Sequence, residues 1–204
     1  MRLSKAGYYA DFIVYPFLIL ALLGSRLVLY ARQGDGVAQG FVHQDLVHQG
    51  LARQALVFAG LCLAGAATWT LFEYVLHRYV LHRVPILHDM HEAHHADPGA
   101  YVGTPSWASL LFFILLAFLP LARGFGVAVA IPFTAGLAFG YLCYVGVHHV
   151  SHHWRLAPGT YLYRLRHRHA RHHFAKTPGN FGVTTLFWDK VFGTSLEAAR
   201  RSGQ

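Results

Sequence analysis

Charge is what this sequence has least of. Charged residues make up 13% of its 204 positions and hydrophobic residues 54%, where an ordinary soluble domain carries roughly a quarter charged. That deficit points to lipid as the surrounding medium. Acidic side chains are scarcer than basic ones, nine against 17, which leaves a formal charge of +8. Cysteine is nearly absent: Cys62 and Cys143 both sit in apolar runs and form no C-x-x-C pair. This leaves zinc-finger and iron–sulfur ligation unsupported and gives no sign of a disulfide framework. The first apolar run has no convincing small-residue cleavage site, so it is not read as a cleavable signal peptide. The basic excess lies mainly between Arg155 and Arg201, where nine Lys and Arg face only Asp189 and Glu197. A nucleic-acid partner is not needed to explain it, because apolar spans with basic flanks follow the positive-inside rule.

What the chain has instead is long apolar runs and histidine. Four runs are long enough, or nearly so, to cross a bilayer: Asp11–Tyr30, Gln54–Leu76, Ser106–Leu121 and Val127–Val147. The expected architecture is all-α and integral to the membrane, with about four transmembrane helices and a cytoplasmic helical cap. The last two spans can form a short hairpin, with Arg123-Gly124 as the break. Residues 1–53 read as an N-terminal membrane helix and loop, and 54–204 as the domain that carries the chemistry. Asp11 and Arg26 are placed near span ends, within reach of the interface. Pro16 and Pro132 are candidate kinks, and Thr104-Pro105 reads as a helix start with Thr at the cap. An amphipathic piece is expected over Phe41–Leu51, and Trp69 and Tyr74 suit an interfacial aromatic belt.

Sixteen histidines are present, and 14 of them fall in four short clusters. Imidazole is the commonest metal ligand among side chains. On a helix, residues i, i+3 and i+4 share one face. His91, His94 and His95 can therefore converge, and so can His169, His172 and His173. His148 and His152 also share a face, as do His149 and His153, which leaves two registers open for that cluster. His77 and His82 diverge by about 140° on an ideal α-helix, so the helix must end or bend between them if they serve one centre. His43 and His48 have no partner cluster and read as surface residues.

With four spans both termini lie on one face, and the basic tail makes that face cytoplasmic. All four clusters then fall on the same side. Ten or more clustered histidines exceed the four ligands of one structural zinc site and suggest a dimetal site. Iron, zinc, copper and nickel all suit neutral imidazole. A carboxylate di-iron bundle needs about four Glu, but only Glu73 and Glu92 lie near any cluster, so that site is excluded. Histidines dense at span ends do not fit a membrane haem. Glu73 has two readings, an acceptor that orients His77 or an interfacial carboxylate paired with Arg78. Tyr101, Trp107, Tyr141 and Tyr144 either wall a lipid passage or form an interface belt. Phe181, Phe187, Trp188 and Phe192 can seat an interfacial segment on the membrane. A competing class is a non-catalytic membrane metal-binding or metal-transport protein. A transporter would need polar groups at mid-membrane, and these spans lack them.

The order H-x4-H, H-x2-HH, H-x3-H, H-x2-HH, followed by GNFGVTTLFWDKVFGT from Gly179 to Thr194, resembles the fatty acid hydroxylase and sterol desaturase superfamily of membrane di-iron oxygenases. The resemblance implies ten metal ligands: His77, His82, His91, His94, His95, His148, His152, His169, His172 and His173. Glu73, His88, His149, His153 and His167 remain as supporting or alternative groups. It further implies two iron ions, which zinc can replace in purified protein, and hydroxylation or desaturation of an acyl or sterol-type lipid with dioxygen. The electrons would come from a separate ferredoxin- or cytochrome-type donor, drawn by the basic tail. The expected location is the inner membrane of a bacterium or the endoplasmic reticulum of a eukaryote, with the site on the cytoplasmic side.

Overall fold

The computed structural model describes residues 2–34 and 44–196, with the side chains of all of these except 26–34, 44–49 and 51. Arg26, His43, His48 and the start of the Phe41–Leu51 piece thus lie outside the described residues or side chains. Among the described residues the elements are helical, apart from one isolated bridge between Arg2 and Val102.

A short helix α1 (Lys5–Tyr9), capped by Ser4, leads into α2 (Asp11–Gly34). The next helix, α3 (Gln44–Val75), is continuous, so residues 44–51 of the expected amphipathic piece are its first turns and the division at residue 53 falls inside it. It runs on as a π turn, Leu76–Leu81. Helix α4 (Pro85–Ala96) comes next, with Pro85 at its first position. The third apolar run folds as α5 (Ser106–Phe112), a π segment (Phe113–Phe118) and α6 (Leu119–Phe125). Pro105 rather than Thr104 is its cap, with no side-chain capping bond. Arg123-Gly124 does not break this run. Helix α6 stays helical through both residues, and the turn falls at Gly126, whose φ of 81° suits glycine. Then come α7 (Val127–His153), α8 (Tyr161–Phe174, capped by Thr160) and α9 (Phe187–Val191). Pro16 and Pro132 lie inside helices that continue past them.

Four helical stretches are long and apolar enough to cross a membrane: Lys5–Ser25, Ala52–Leu81, Ser106–Phe125 and Val127–His153. At 1.5 Å per residue, even the 20-residue third stretch covers a hydrocarbon core of about 30 Å. Helix α7 is the central one, packed by α2, α3, α6 and α8. It meets α3 along small residues. A Cβ on Gly136 would lie inside the Cys62 backbone, and one on Gly140 would come within 2.6 Å of Trp69. Without an aqueous hydrophobic effect between helices, such close approach supplies much of their association. Gly136→Val should therefore force α3 from α7, cost about 1–3 kcal/mol through overpacking, and lower the thermal midpoint in detergent.

Tyr15, Trp69, Phe113, Leu137 and Tyr141 form the core. Trp69 is 5% exposed and Tyr74 is fully buried, so neither belongs to an interfacial belt. Trp69 is held edge-on by Tyr141 at 5.1 Å, and the Tyr74 hydroxyl sits 3.0 Å from Thr194 Oγ1. Asp11, at the start of α2, is turned into the protein. It is 6% exposed and accepts from Ser106 Oγ and the Tyr141 hydroxyl.

Candidate metal centre

The four histidine clusters meet at the same end of the bundle. One comes from the π turn after α3, one from α4, one from the last turns of α7 and one from α8. The π turn brings the first pair together. Its i→i+5 bonding and the end of the helix at His82 let residues five apart stack, with His77 and His82 ring centroids 5.3 Å apart and the planes within 15°.

Two groups result, His77, His82, His91, His95 and His172, and His94, His148, His152 and His169. Within each, the nitrogens able to bind metal all lie within 4.8 Å of one another. His91 Nε2 is the hub of the first, 3.0 Å from His77 Nε2, 3.1 Å from His82 Nε2 and 3.0 Å from His95 Nε2. In the second, His94 Nε2 lies 3.0 Å from His148 Nε2 and 3.1 Å from His152 Nε2, and His152 Nε2 lies 2.9 Å from His169 Nε2. His173 adjoins this group, with its Nε2 3.1 Å from that of His169. All ten histidines of the four-box pattern are thus together.

The remaining candidates are elsewhere. His149 meets the Tyr8 hydroxyl at 3.1 Å, and His153 stacks beside it toward Tyr8 and Tyr101. The register of the third cluster that faces the site is therefore His148 and His152. His88 points outward to Asp89 and Glu92, and His167 is exposed and stacks on Tyr163.

The donor set fits metal. His77 Nδ1 donates to the Phe181 carbonyl at 2.6 Å and His172 Nδ1 donates to the Gly179 carbonyl at 2.9 Å. A carbonyl can only accept, so each of these rings keeps its proton on Nδ1 and turns a lone pair on Nε2 inward. Burial, reinforced by mutual repulsion among the rings, holds the imidazoles neutral. His82 is lowered to about 4, His94 and His172 to about 3, and His91, His169 and His173 also fall well below the ordinary value. Neutral imidazole is the form that binds metal. Below about pH 6.5 the unfolded chain takes up protons that the folded chain resists, so acid favours unfolding. Metal-free protein should hold its thermal midpoint above about pH 7 and lose it progressively as the pH falls from 6.5 toward 4.

The segment after α8 holds this arrangement from beneath. Glu73 neither bonds His77 nor pairs with Arg78. It is buried, and accepts from Val183 N and Thr184 N at 2.5 and 2.9 Å and from Thr184 Oγ1. Arg78 instead donates to the Tyr74 hydroxyl at 2.7 Å. Asp189, fully buried, accepts from Phe181 N and Gly182 N at 2.9 Å each and from Thr194 Oγ1 at 2.7 Å, with Arg168 3.8 Å away. Asn180, in the left-handed region at φ 56°, accepts from Arg168 and Leu196 N. Phe181 is not a membrane anchor. Its ring lies 5.5 to 5.8 Å from those of His77, His82 and His172. Trp188 donates to Thr70 Oγ1 at 2.9 Å, and Phe192 stacks on Tyr74 at 5.1 Å. Of the four aromatics, Phe187 is the most exposed, at 57%, and the best placed to meet lipid. The carbonyls of Gly179 and Phe181 and the Asp189 carboxylate are functional groups that pattern reasoning missed. The one available signal was a carboxylate set inside an aromatic run.

A cavity of about 110 Å³ opens against His77, His91, His94 and His148, so it touches both groups. Leu81, Leu87, Met90 and Val102 form apolar wall, and Asp11, Tyr141 and Tyr144 are polar lining. Trp107 stays on the surface, 67% exposed, and Tyr101 packs on Tyr8.

A model of the fatty acid hydroxylase family matches residues 62–194. The ceramide very long chain fatty acid hydroxylase of Saccharomyces cerevisiae is 35% identical over 115 residues, 54% of this chain and 28% of that protein. The dihydroceramide fatty acyl 2-hydroxylase of Arabidopsis thaliana is 35% identical over 109 residues, 53% of this chain and 45% of that one. The fatty acid 2-hydroxylase of Homo sapiens is 35% identical over 111 residues, 53% and 29%. The chain thus spans less than half the length of each of these relatives. Among solved structures, full-length scs7p, of which the hydroxylase domain is visible, matches 94% of this chain and 67% of its own with a TM-score of 0.71 at 24% identity, which establishes the shared fold.

Proposed function

The chain belongs to the fatty acid hydroxylase family, and from that premise we propose that it is a membrane di-iron oxygenase that hydroxylates a C–H bond of a fatty acyl lipid. The observation that carries this reading is two groups of histidines, the ligand nitrogens of each within 4.8 Å of one another, that both border one partly apolar cavity. The ligands would be His77, His82, His91, His95 and His172 at one ion, and His94, His148, His152, His169 and His173 at the other. When bound there, two ferrous ions would supply the activation of dioxygen that an unreactive C–H bond requires. Over one turnover, one oxygen atom goes to the lipid and the other leaves as water, with two electrons and two protons taken up. The chain's own part is to hold the imidazoles neutral and aimed, to line the approach with Leu81, Leu87 and Met90, and to brace the centre with residues 179–196. Hydroxylation is preferred to desaturation because the similar proteins carry hydroxylase names.

The electrons come from an outside donor. Arg164, Arg171 and Lys176, on α8 and just after it, lie close to His169 and His172 in sequence, and they attract an acidic cytochrome- or ferredoxin-type domain. By the positive-inside rule the histidine end faces the cytoplasm.

The test is lipid analysis of membranes with and without the protein, supplied with iron and a competent donor, alongside metal content after purification without chelators or a histidine tag. Gain of one oxygen in an acyl lipid and about two irons per chain support the proposal. Loss of two hydrogens instead would mean desaturation. Bound metal with no change in any lipid would overturn it in favour of a non-catalytic metal-binding protein.

A further inference from the structure

The cavity beside the histidines contains one carboxylate among the described residues lining it, Asp11. Asp11 is 6% exposed, and its two oxygens accept from Ser106 Oγ and the Tyr141 hydroxyl, each at 2.5 Å. Two neutral hydroxyls leave lone pairs of a carboxylate unused, since the group has about four acceptor sites. A buried carboxylate so sparingly satisfied at a membrane boundary is costly to keep unless it meets something else. Its nearest open space is the cavity, which also touches His77, His91, His94 and His148. That space is too small for a whole lipid. At roughly 10–15 Å³ per water it holds several water-sized groups, which suits the polar end of an acyl chain and the carbons next to it.

Resting on the reading that an acyl lipid occupies this cavity, we propose that Asp11 selects the substrate by its head. Its carboxylate accepts a hydrogen bond from a hydroxyl or amide N–H near the reacting carbon and repels an ionised carboxylate. A neutral amide- or alcohol-bearing lipid is thereby favoured over the free fatty acid of equal length. The physical basis is an asymmetry. A charge-assisted hydrogen bond in a dry site is among the stronger polar contacts, while two like charges brought together there are heavily penalised.

The test is binding to metal-free protein, so that it does not depend on turnover. Three palmitoyl probes are titrated into protein in mild detergent and followed by calorimetry: palmitoyl ethanolamide, methyl palmitate and palmitate. They offer a donor, neither donor nor charge, and a negative charge. The wild type should bind the amide at least about tenfold more tightly than palmitate, the discrimination expected of one charge-assisted bond, with the ester between them. Asp11→Asn should shrink that ratio to within about threefold, mainly by weakening the amide and admitting palmitate. Ser106→Ala removes one of the hydroxyls tying Asp11 to α5 but keeps the carboxylate, and it should preserve the wild-type order.

If Asp11→Asn keeps the wild-type ratio, or Ser106→Ala collapses it equally, Asp11 is only a structural tie and the proposal is overturned. It is overturned also if none of the three probes binds. A preserved preference in a protein that yields no hydroxylated lipid would instead sink the proposed function while leaving the selectivity in place.

Discussion

His91→Ala should leave a folded protein that holds less metal and makes no measurable product. His91 Nε2 sits between three other ring nitrogens, 3.0 to 3.1 Å from those of His77, His82 and His95. By comparison, His82 Nε2 has two such neighbours, His91 and His172. Removing His91 takes away one of the five imidazoles of this group proposed to hold an ion. Losing a group that merely supports a ligand typically costs 10–100-fold in metal affinity or activity, and loss of this hub should exceed that range. Elemental mass spectrometry and lipid analysis on the same preparation give the answer. His149→Ala is the matched control, since His149 bonds Tyr8 and belongs to neither histidine group, and its loss should leave metal content unchanged. An active, fully loaded His91→Ala protein would remove His91 from the ligand set.

Asp189→Ala should have the second largest effect, and it acts without touching the metal. The carboxylate gathers two backbone amides, the Thr194 hydroxyl and the Arg168 guanidinium at the floor of the site. Removing it leaves buried donors unmatched and takes one negative charge from beside a buried cation. Such losses cost about 3–5 kcal/mol when a buried pair is broken. The functional consequence travels through the backbone. Phe181 N and Gly182 N are fixed by Asp189, and the Phe181 carbonyl fixes His77. Freed, that carbonyl no longer sets the His77 tautomer. Iron affinity should drop by roughly 10–100-fold in protein that is still folded at low temperature, as read by competition with a chelator. Unchanged affinity alongside a lowered thermal midpoint would mean that the segment stabilises the fold without aiming the ligands.

How much of this was legible in the sequence depends on the range of each interaction. The i, i+3, i+4 spacing of His91, His94 and His95 and of His169, His172 and His173 depends only on helix geometry, so convergence could be read directly. Four apolar runs made the membrane helices visible in the same local way, though the third proved longer because Arg123 and Gly124 stay helical. The His77–His82 pair could not be placed, because an ideal α-helix separates residues five apart and only a π turn reunites them. Trp69 and Tyr74 misled as belt residues because composition does not reveal which face of a span packs against its neighbours.

The sequence by itself determined the apolar spans, the helical class and the clustering of the histidines, since each is written in hydropathy or in spacings shorter than one or two helical turns. Only the tertiary structure decided which nitrogen of His77 and His172 points inward, that Glu73 and Asp189 serve the segment below the site, and that Asp11 is buried beside the cavity. The Glu73–Thr184, His77–Phe181 and Asp11–Tyr141 pairs join positions more than 100 residues apart. No local periodicity encodes such a meeting. It arises when α2, α3 and α8 pack around α7 and buried polar groups must find whichever partners that packing brings within reach.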